Sequence, residues 1–540
     1  MHGVISAGHP ETANAGAIIL KQGGNAVDAA VAASFASFIA ESPLVNIGGG
    51  GIAQLYNPAT KQPIVYDFFS TMPGLNGSYD LENIDFRQIF IDFGPAQQPF
   101  YIGRASVAVP GVVAGLCQMA TEAGRLPLSE ILSPAIQLAK QGATITNSSA
   151  YVMELLEPIL TDTPPIAQIY TPQGRLPTVG EKLYFSDLAK TMAQIGQSGA
   201  NLFYRGSVAQ KIATDQTLHH GLLTKTDLAS YHVISQTPIS VFYRGYTILL
   251  PPPASIGGVL IAFALHLLTQ IPLSTMTHNS FEHLRILTEV MRLTNISRPE
   301  WEAIYQQVLH SQTTTTAINE AITKFLSPAR IADYQTKLRQ TLAGESPLPE
   351  PEPSPGPSNT THISVADADG MLVTITTSSG ENAGFIVDDT GVMLNNMLGE
   401  IDLHPNGFHQ LPAGQRLTTM MCPVLVLKDG EPILAAGSGG SNRIRSAILQ
   451  LLSNVIDFKL PLEQAVNAAR VHFEAGTTQL EGGILPAVAD QFETFGYNIN
   501  RWPKRNMFFG GAHAVARTDS DSQTWTAAGD KRRGGTIEVV

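Results

Sequence analysis

The sequence predicts a layered α/β protein, and three observations carry that prediction. Helical and strand-like patterning occur in both halves of the chain, with no internal repeat. Hydrophobic residues make up 44% of it and charged residues only 14%, so a large buried core is easily assembled. The stretch NAVDAAVAASFASFIAES, from Asn25 to Ser42, is apolar on almost every face. A helix of that kind is buried on all sides.

Taken in order, Glu11 to Gln22 has helical spacing and stops at Gly23-Gly24, and Asn25 caps the apolar helix that follows. IGGGGIAQLYN and KQPIVYDFF read as strands around an Asn-Pro turn. Gly124 to Thr146 is mostly helical by pattern. The uncharged run from Tyr246 to Thr277 is broken by Pro251-Pro252-Pro253 and Gly257-Gly258. Its helical part, SIGGVLIAFALHLL, is too short to cross a membrane and reads as a core helix. Residues 280 to 340 are again mostly helical. Glu345 to Ser358 carries six prolines in fourteen residues, a composition that predicts an exposed, mobile strap. Strand pairs, a glycine cluster at GSGGSNRI, and helices over Arg443 to Phe458 and Leu462 to Val471 complete the chain.

The strap runs directly into NTTHISVADADGMLVTITTSS, which carries a hairpin signal: two alternating strands around Asp369-Gly370, the preferred type I′ loop. That loop sets Thr360 opposite Ser379 and Thr361 opposite Ser378, with one residue of slack. Hydroxyls therefore gather at the open end of the hairpin, where the strap attaches. A cut before Thr360 would leave an N-terminal threonine bearing both a hydroxyl and an α-amine. The amine has a reference pKa of about 7.7–8.0, so it serves as a base near neutral pH. Threonine activated by its own amine is a recognised nucleophile, and a proline-rich strap is free to swing away after the cut. The plain alternative is a loop that leads into an ordinary strand.

Composition excludes several other readings. The formal charge of −12 and the lack of a basic tract argue against a nucleic-acid groove. Two cysteines, Cys117 and Cys422, exclude a disulfide scaffold and a multi-cysteine metal site, and read as buried thiols. His278/His283 and His404/His409 lack the spacing of a helix-face chelate, so no metal is expected. IGGGG lacks the GxGxxG spacing of a dinucleotide loop. MHGVISAGHPETANAG has no basic region followed by an apolar one, so no signal peptide, no membrane association and a cytoplasmic location are expected.

NTTHISVADADG and GGNAVDAAVAA resemble the γ-glutamyltranspeptidase family of N-terminal-nucleophile hydrolases. So do IGGGG, AVPGVVAGL, GRLP, SPAIQLAKQG, FYRG, GLLTKTDLASY, YRGY, PPPASIGG, MLNNMLGE, GSGGSNRIRSA and DKRRGG, in family order from Gly23 to Gly535. The resemblance implies one four-layer αββα sandwich, overriding the three or four domains that 540 residues would suggest. It also implies self-cleavage at Asn359–Thr360. Residues 1–359, strap included, would become a large subunit and residues 360–540 a small one, both from one precursor and open to further assembly. The enzyme implied is a γ-glutamyltransferase or glutathione hydrolase, a hydrolase or acyltransferase of glutathione metabolism. It acts on γ-glutamyl amides through an acyl-enzyme on Thr360, resolved by water or an amine, without a cofactor. Thr361 is the rival nucleophile.

Residue by residue, Ser378 falls where the family places a hydroxyl that orients the nucleophile. Gly439 and Gly440 match the pair whose backbone forms the oxyanion hole, although Ser438 stands where proline is usual. Glu400 matches an acid that pairs with the substrate's α-amino group, and is longer by one methylene; Asn396 and Met397 are its neighbours. Thr419 and Met420 match two serines that contact the α-carboxylate, and only Thr419 keeps a hydroxyl. The largest departure is Phe69, which stands where an arginine clamps that carboxylate. A ring does not replace a bidentate guanidinium. Arg104, in GRASVAVPG, is the candidate substitute, or else a structural arginine. An acylase of the same fold, cleaving a different side-chain amide, is therefore the alternative function, and an unprocessed binding protein a third.

Overall fold

The apolar stretch forms the helix Ala26–Ala40, in which every residue is buried. The Asn25 side chain accepts from the N–H groups of Val27 and Asp28, each at 3.0 Å. Asp28 in turn accepts from Asn25 N–H at 3.0 Å, so two otherwise orphaned donors are satisfied reciprocally. Its alanines allow close approach by the helix Pro10–Lys21. Gly16 lies at that crossing, where a Cβ would stand 2.9 Å from the Ala29 carbonyl oxygen.

The computed structural model describes residues 2–77, 81–92, 97–311, 314–344, 359–404, 407–518 and 524–540. The strap 345–358 lies outside the described residues. Two antiparallel sheets form the centre. One has seven strands in the order Thr536–Val539, Gly3–Ala7, Thr361–Asp367, Leu372–Ser378, Gly50–Asn57, Gln62–Phe68 and Ile234–Gln236. The other has six, in the order Trp525–Ala528, Gly511–Arg517, Glu431–Gly439, Val424–Lys428, Tyr246–Leu250 and Ile239–Tyr243.

The sheets meet through Val4, Tyr56, Ala366 and Leu372 on one side, and Leu249, Leu425, Ala435 and Val515 on the other. Helices Pro10–Lys21, Ala26–Ala40 and Val112–Ala123 cover the outer face of the seven-stranded sheet. Helices Ile256–Leu268, Arg443–Ile456 and Leu462–Asn467 cover the other, and Phe281–Ser311 packs outside Ile256–Leu268. The layering is helix, sheet, sheet, helix: the expected αββα sandwich. Alternation along each strand sends one set of side chains to the helices and the other to the facing sheet. Among the described residues no helix is long and apolar enough to cross a membrane.

Two local expectations change. The helix expected over Leu462 to Val471 ends at Asn467, and Val471–Glu474 is a strand. The hairpin loop is longer than type I′ by one residue. Gly370 N–H donates to Asp367 O at 3.2 Å and Asp367 N–H to Met371 O at 3.1 Å, with Gly370 at φ +86. This is a type I turn followed by a glycine bulge. The Asp367 carboxylate draws it together by accepting from the N–H groups of Asp369 and Met371, each at 3.0 Å. Thr361 therefore pairs with Thr377, which sets Thr360 opposite Ser378.

Candidate active site

That register shift brings the two hydroxyls of the hairpin's open end into line. Thr360 and Ser378 are buried, 2% and 4% exposed, and both line one cleft. The Ser378 hydroxyl donates to the Asn359 carbonyl oxygen at 2.5 Å and accepts from Gly380 N–H at 3.2 Å. Thr361 points to the opposite face of the sheet, where its hydroxyl donates to Glu41 at 2.5 Å. Glu41 takes a second such bond from Thr12 at 2.7 Å. Adjacent threonines thus occupy different environments: one opens on a cleft, the other is tied into the helix layer.

The strand Glu431–Gly439 of the facing sheet ends against Thr360. A Cβ on Gly439 would lie 2.2 Å from the Thr360 carbonyl oxygen, so only glycine allows this approach. Gly440 follows at φ +122. Ser438 accepts from Gly511 N–H at 3.1 Å and donates to Gly439 O at 2.8 Å. Arg533 donates to the Thr360 carbonyl at 3.2 Å.

The cleft, counted together with the open solvent at its mouth, has about 490 Å³ of empty space. Two of its lining residues are carboxylates, Glu400 and Asp402. Burial and then Asp402 push Glu400 up to about 8. Burial and then Glu474 push Asp402 up to about 7, against opposing effects of the Ser441 bond, Arg298 and Arg443. Glu381, behind them, is raised well above the ordinary carboxylate range by burial and by Glu400. The backbone of Asn359 works against that rise. Glu381 Oε2, Glu400 Oε1 and Asp402 Oδ1 are buried without a hydrogen-bond partner among the described residues.

Phe69, Thr419 and Met420 all line the cleft, as does Met397. Asn396 sits behind, accepting from Glu381 N–H at 2.7 Å. Thr419 Oγ1 accepts from Met421 N–H at 3.1 Å. The structure does not bring Arg104 to this place. Its guanidinium pairs with Asp215 at 3.2 Å and Asp85 at 3.6 Å and lies 4.0 Å over the Phe385 ring, and it is not among the lining residues. The cation that does line the cleft is Arg298, which donates to Glu302 at 2.7 Å and to Asn442 at 3.3 Å.

Sequence reasoning missed Arg298 and Glu381. Arg298 reaches the cleft only because the helix Phe281–Ser311 packs against the helix Ile256–Leu268 and the strand Val471–Glu474, which no local pattern announces. Glu381 had a signal: it follows Ser378-Ser379-Gly380, where the hydroxyl-bearing strand ends. The histidine pairs are absorbed by the fold. His283 Nδ1 accepts from Asn279 N–H at 3.0 Å, while His404 and His409 bond the carbonyls of Met397 and Ala105 at 3.1 and 2.9 Å. Among the described residues no group of three or more His, Cys, Asp or Glu could hold a metal ion. Both cysteines are buried, and burial pushes the Cys117 thiol up to about 12.

Comparison with known proteins sets this geometry in context. Residues 12–540 match the family model described as Gamma-glutamyltranspeptidase. The chain is 31% identical to the Acylase ACY 1 proenzyme of Pseudomonas sp. (strain SE83), over 97% of this chain and 91% of that protein. It is 27% identical to the Glutathione hydrolase proenzyme of Bacillus subtilis (strain 168), over 99% of this chain and 90% of that one. The fold is similar to that of cephalosporin acylase from Bacillus halodurans, with a TM-score of 0.82 at 24% identity, covering 99% of this chain and 95% of that one. Helicobacter pylori gamma-Glutamyltranspeptidase matches with a TM-score of 0.53 at 28% identity, over 63% of this chain and 92% of that one. With the family model matched from residue 12 to the last residue, the chain belongs to the gamma-glutamyltranspeptidase family.

Proposed function

We propose that this protein is a self-processing amide hydrolase or acyltransferase with Thr360 as its nucleophile. The observation that carries the reading is the Ser378 hydroxyl bonded to the carbonyl of Asn359, immediately before the buried threonine that lines the cleft. In the precursor, Thr360 Oγ attacks the Asn359 carbonyl carbon and the C–N bond breaks. The nitrogen becomes the α-amine of Thr360, and water hydrolyses the resulting ester. The products are residues 1–359 and the 181 residues 360–540.

In the processed enzyme the α-amine takes the Thr360 hydroxyl proton as Oγ attacks a substrate amide. The leaving amine departs with that proton, and water or another amine resolves the acyl-Thr360 ester. Gly439 and Gly440 offer backbone N–H groups to the developing oxyanion. One such donor is typically worth about 3 kcal/mol in the transition state.

γ-Glutamyl amides, glutathione included, are the first substrates to consider, with Glu400 and Thr419 at hand for the amino acid end. A specific observation favours the second reading, an acylase: Phe69 lines the cleft where a carboxylate clamp is expected, and Arg104 is spent on Asp215 and Asp85. Intact mass of purified protein tests the nucleophile. Two chains that meet at Asn359–Thr360, and an acyl adduct on the smaller chain during amide turnover, are the expected result. A single chain that still turns over amides would sink it.

A further inference from the structure

We propose that the acyl group taken by this cleft carries an amine and no carboxylate, the amine being held between Glu400 and Glu381. The substrate class is thus amides of amino-substituted acyl groups. This inference rests on the Thr360 reading, since it concerns the acyl half of the same site.

The argument starts from what the cleft offers. Glu400 is 96% buried, or 4% exposed, and its Oε1 has no hydrogen-bond partner among the described residues. That oxygen lies beside Gly380, where a Cβ would stand 2.1 Å from it, so the glycine keeps space open next to the carboxylate. Glu381, one residue on, is 1% exposed and has an equally unpartnered Oε2. Two buried carboxylates that repel each other need a cation or a proton between them. In the precursor the Asn359 backbone favours the charged form of Glu381.

Among the described lining residues the cleft offers a carboxylate the neutral donors Thr418, Thr419, Ser441 and Asn442, but no uncommitted cation. Phe69, Ile256, Met397, Leu403 and Met420 form an apolar wall. The helix Ile256–Leu268 begins there, yet its first donors are taken. Ile256 N–H donates to Thr419 O at 2.8 Å, and Gly258 N–H to the Ser255 hydroxyl at 3.0 Å. Arg298 already serves Glu302 and Asn442 and faces Asp402. An acyl group with both charges would set its carboxylate against this wall and near Asp402. Without the carboxylate, the same group meets only complementary partners.

Four p-nitroanilides of matched length separate the charges: 4-aminobutyryl, γ-glutamyl, glutaryl and butyryl. Processed enzyme should turn over the 4-aminobutyryl anilide with kcat/KM at least about tenfold above the γ-glutamyl one, and the glutaryl anilide least well. Glu400→Gln and Glu381→Gln should each lower the preference for the 4-aminobutyryl over the butyryl anilide, read as the ratio of their KM values, by about tenfold. A γ-glutamyl or glutaryl anilide turned over best overturns the proposal, the more so if Arg298→Ala abolishes that preference. No turnover of any anilide, with Thr360 never acylated, refutes the nucleophile reading instead. The amine subsite is then judged by calorimetry on the wild-type protein. Tighter binding of 4-aminobutyramide than of glutaramate upholds it; the reverse order, or binding of neither, overturns it.

Discussion

The hydroxyl of Ser378 donates to the main-chain oxygen of Asn359 at 2.5 Å, across the open end of one hairpin. A donor at that oxygen polarises the carbonyl that Thr360 must attack, and it strengthens as charge develops there. Ser378→Ala should slow self-cleavage by about 10²-fold, whereas Ser378→Thr should keep most of the rate. A denaturing-gel time course on freshly purified precursor measures both. Equal rates in wild type and Ser378→Ala would remove this residue from the processing step.

The neighbouring threonines should separate cleanly. Thr360→Ala should remain a single chain of 540 residues. Thr361→Ala should still be cut, more slowly, and should lose about 1–3 kcal/mol of stability because Glu41 keeps a buried oxygen without its donor. Cleavage of Thr360→Ala at the same bond would move the nucleophile elsewhere.

Arg104→Ala should act on stability and not on substrate. Removing the guanidinium leaves Asp215 and Asp85 without their partner, at a cost of about 1–3 kcal/mol for a pair that is only partly buried. KM for γ-glutamyl-p-nitroanilide should stay within a factor of about two of wild type, well under the tenfold that 1.4 kcal/mol represents. A large rise in KM would show that Arg104 reaches the substrate after all.

Phe69→Arg asks the reverse question. Wild type should hydrolyse γ-glutamyl amides weakly, with high KM. A guanidinium at the cleft wall should lower that KM by about 10–150-fold if it gains a charged hydrogen bond to the carboxylate. Steady-state kinetics on the two proteins decides it. A low-micromolar wild-type KM would mean that the apolar wall does not penalise a carboxylate.

The carboxylates of the cleft make stability depend on pH with a definite sign. Glu400 is raised from 4.5 to about 8 and Asp402 from 3.8 to about 7. Between the unfolded and folded values the native state holds protons that the unfolded chain has released, so stability falls as pH rises through that window. The groups that face Glu400 are Glu381 and Asp402, and Asp402 in turn faces Glu474, Arg298 and Arg443. Glu400→Gln should flatten the decline between pH 5.5 and 8, which urea midpoints at the two pH values will show. A wild-type midpoint that rises over this range contradicts the assignment.

The parts of the site that were legible in the sequence are those that local chemistry determines. Thr360 and Ser378 share one hairpin, and an Asp-Gly turn nearly sets their register. The one-residue slip comes from the Asp367 side chain, which bonds two N–H groups and enlarges the loop. Asn25 and Asp28 announce the start of the buried helix because capping is settled within four consecutive residues. Arg104 and Arg298 were not separable in this way. Both are single arginines in mixed segments, and which one reaches the cleft depends on how a 31-residue helix lies against the helix Ile256–Leu268 and the strand Val471–Glu474. The resemblance to a family supplied candidates for the rest, and departures from it at Phe69 and Met420 marked where substrate chemistry needed the structure.

Both central sheets are woven from residues on either side of Asn359–Thr360. Thr361–Asp367 and Leu372–Ser378 lie between Gly3–Ala7 and Gly50–Asn57, and Val424–Lys428 lies beside Tyr246–Leu250. A cut at that bond would therefore turn a unimolecular folding problem into a bimolecular one. The precursor can refold alone at any dilution, but the two products would have to find each other before either sheet could close. Recovery from denaturation should then depend on protein concentration after processing and not before it. Native enzyme would persist because its pieces are interleaved, a form of kinetic rather than thermodynamic protection.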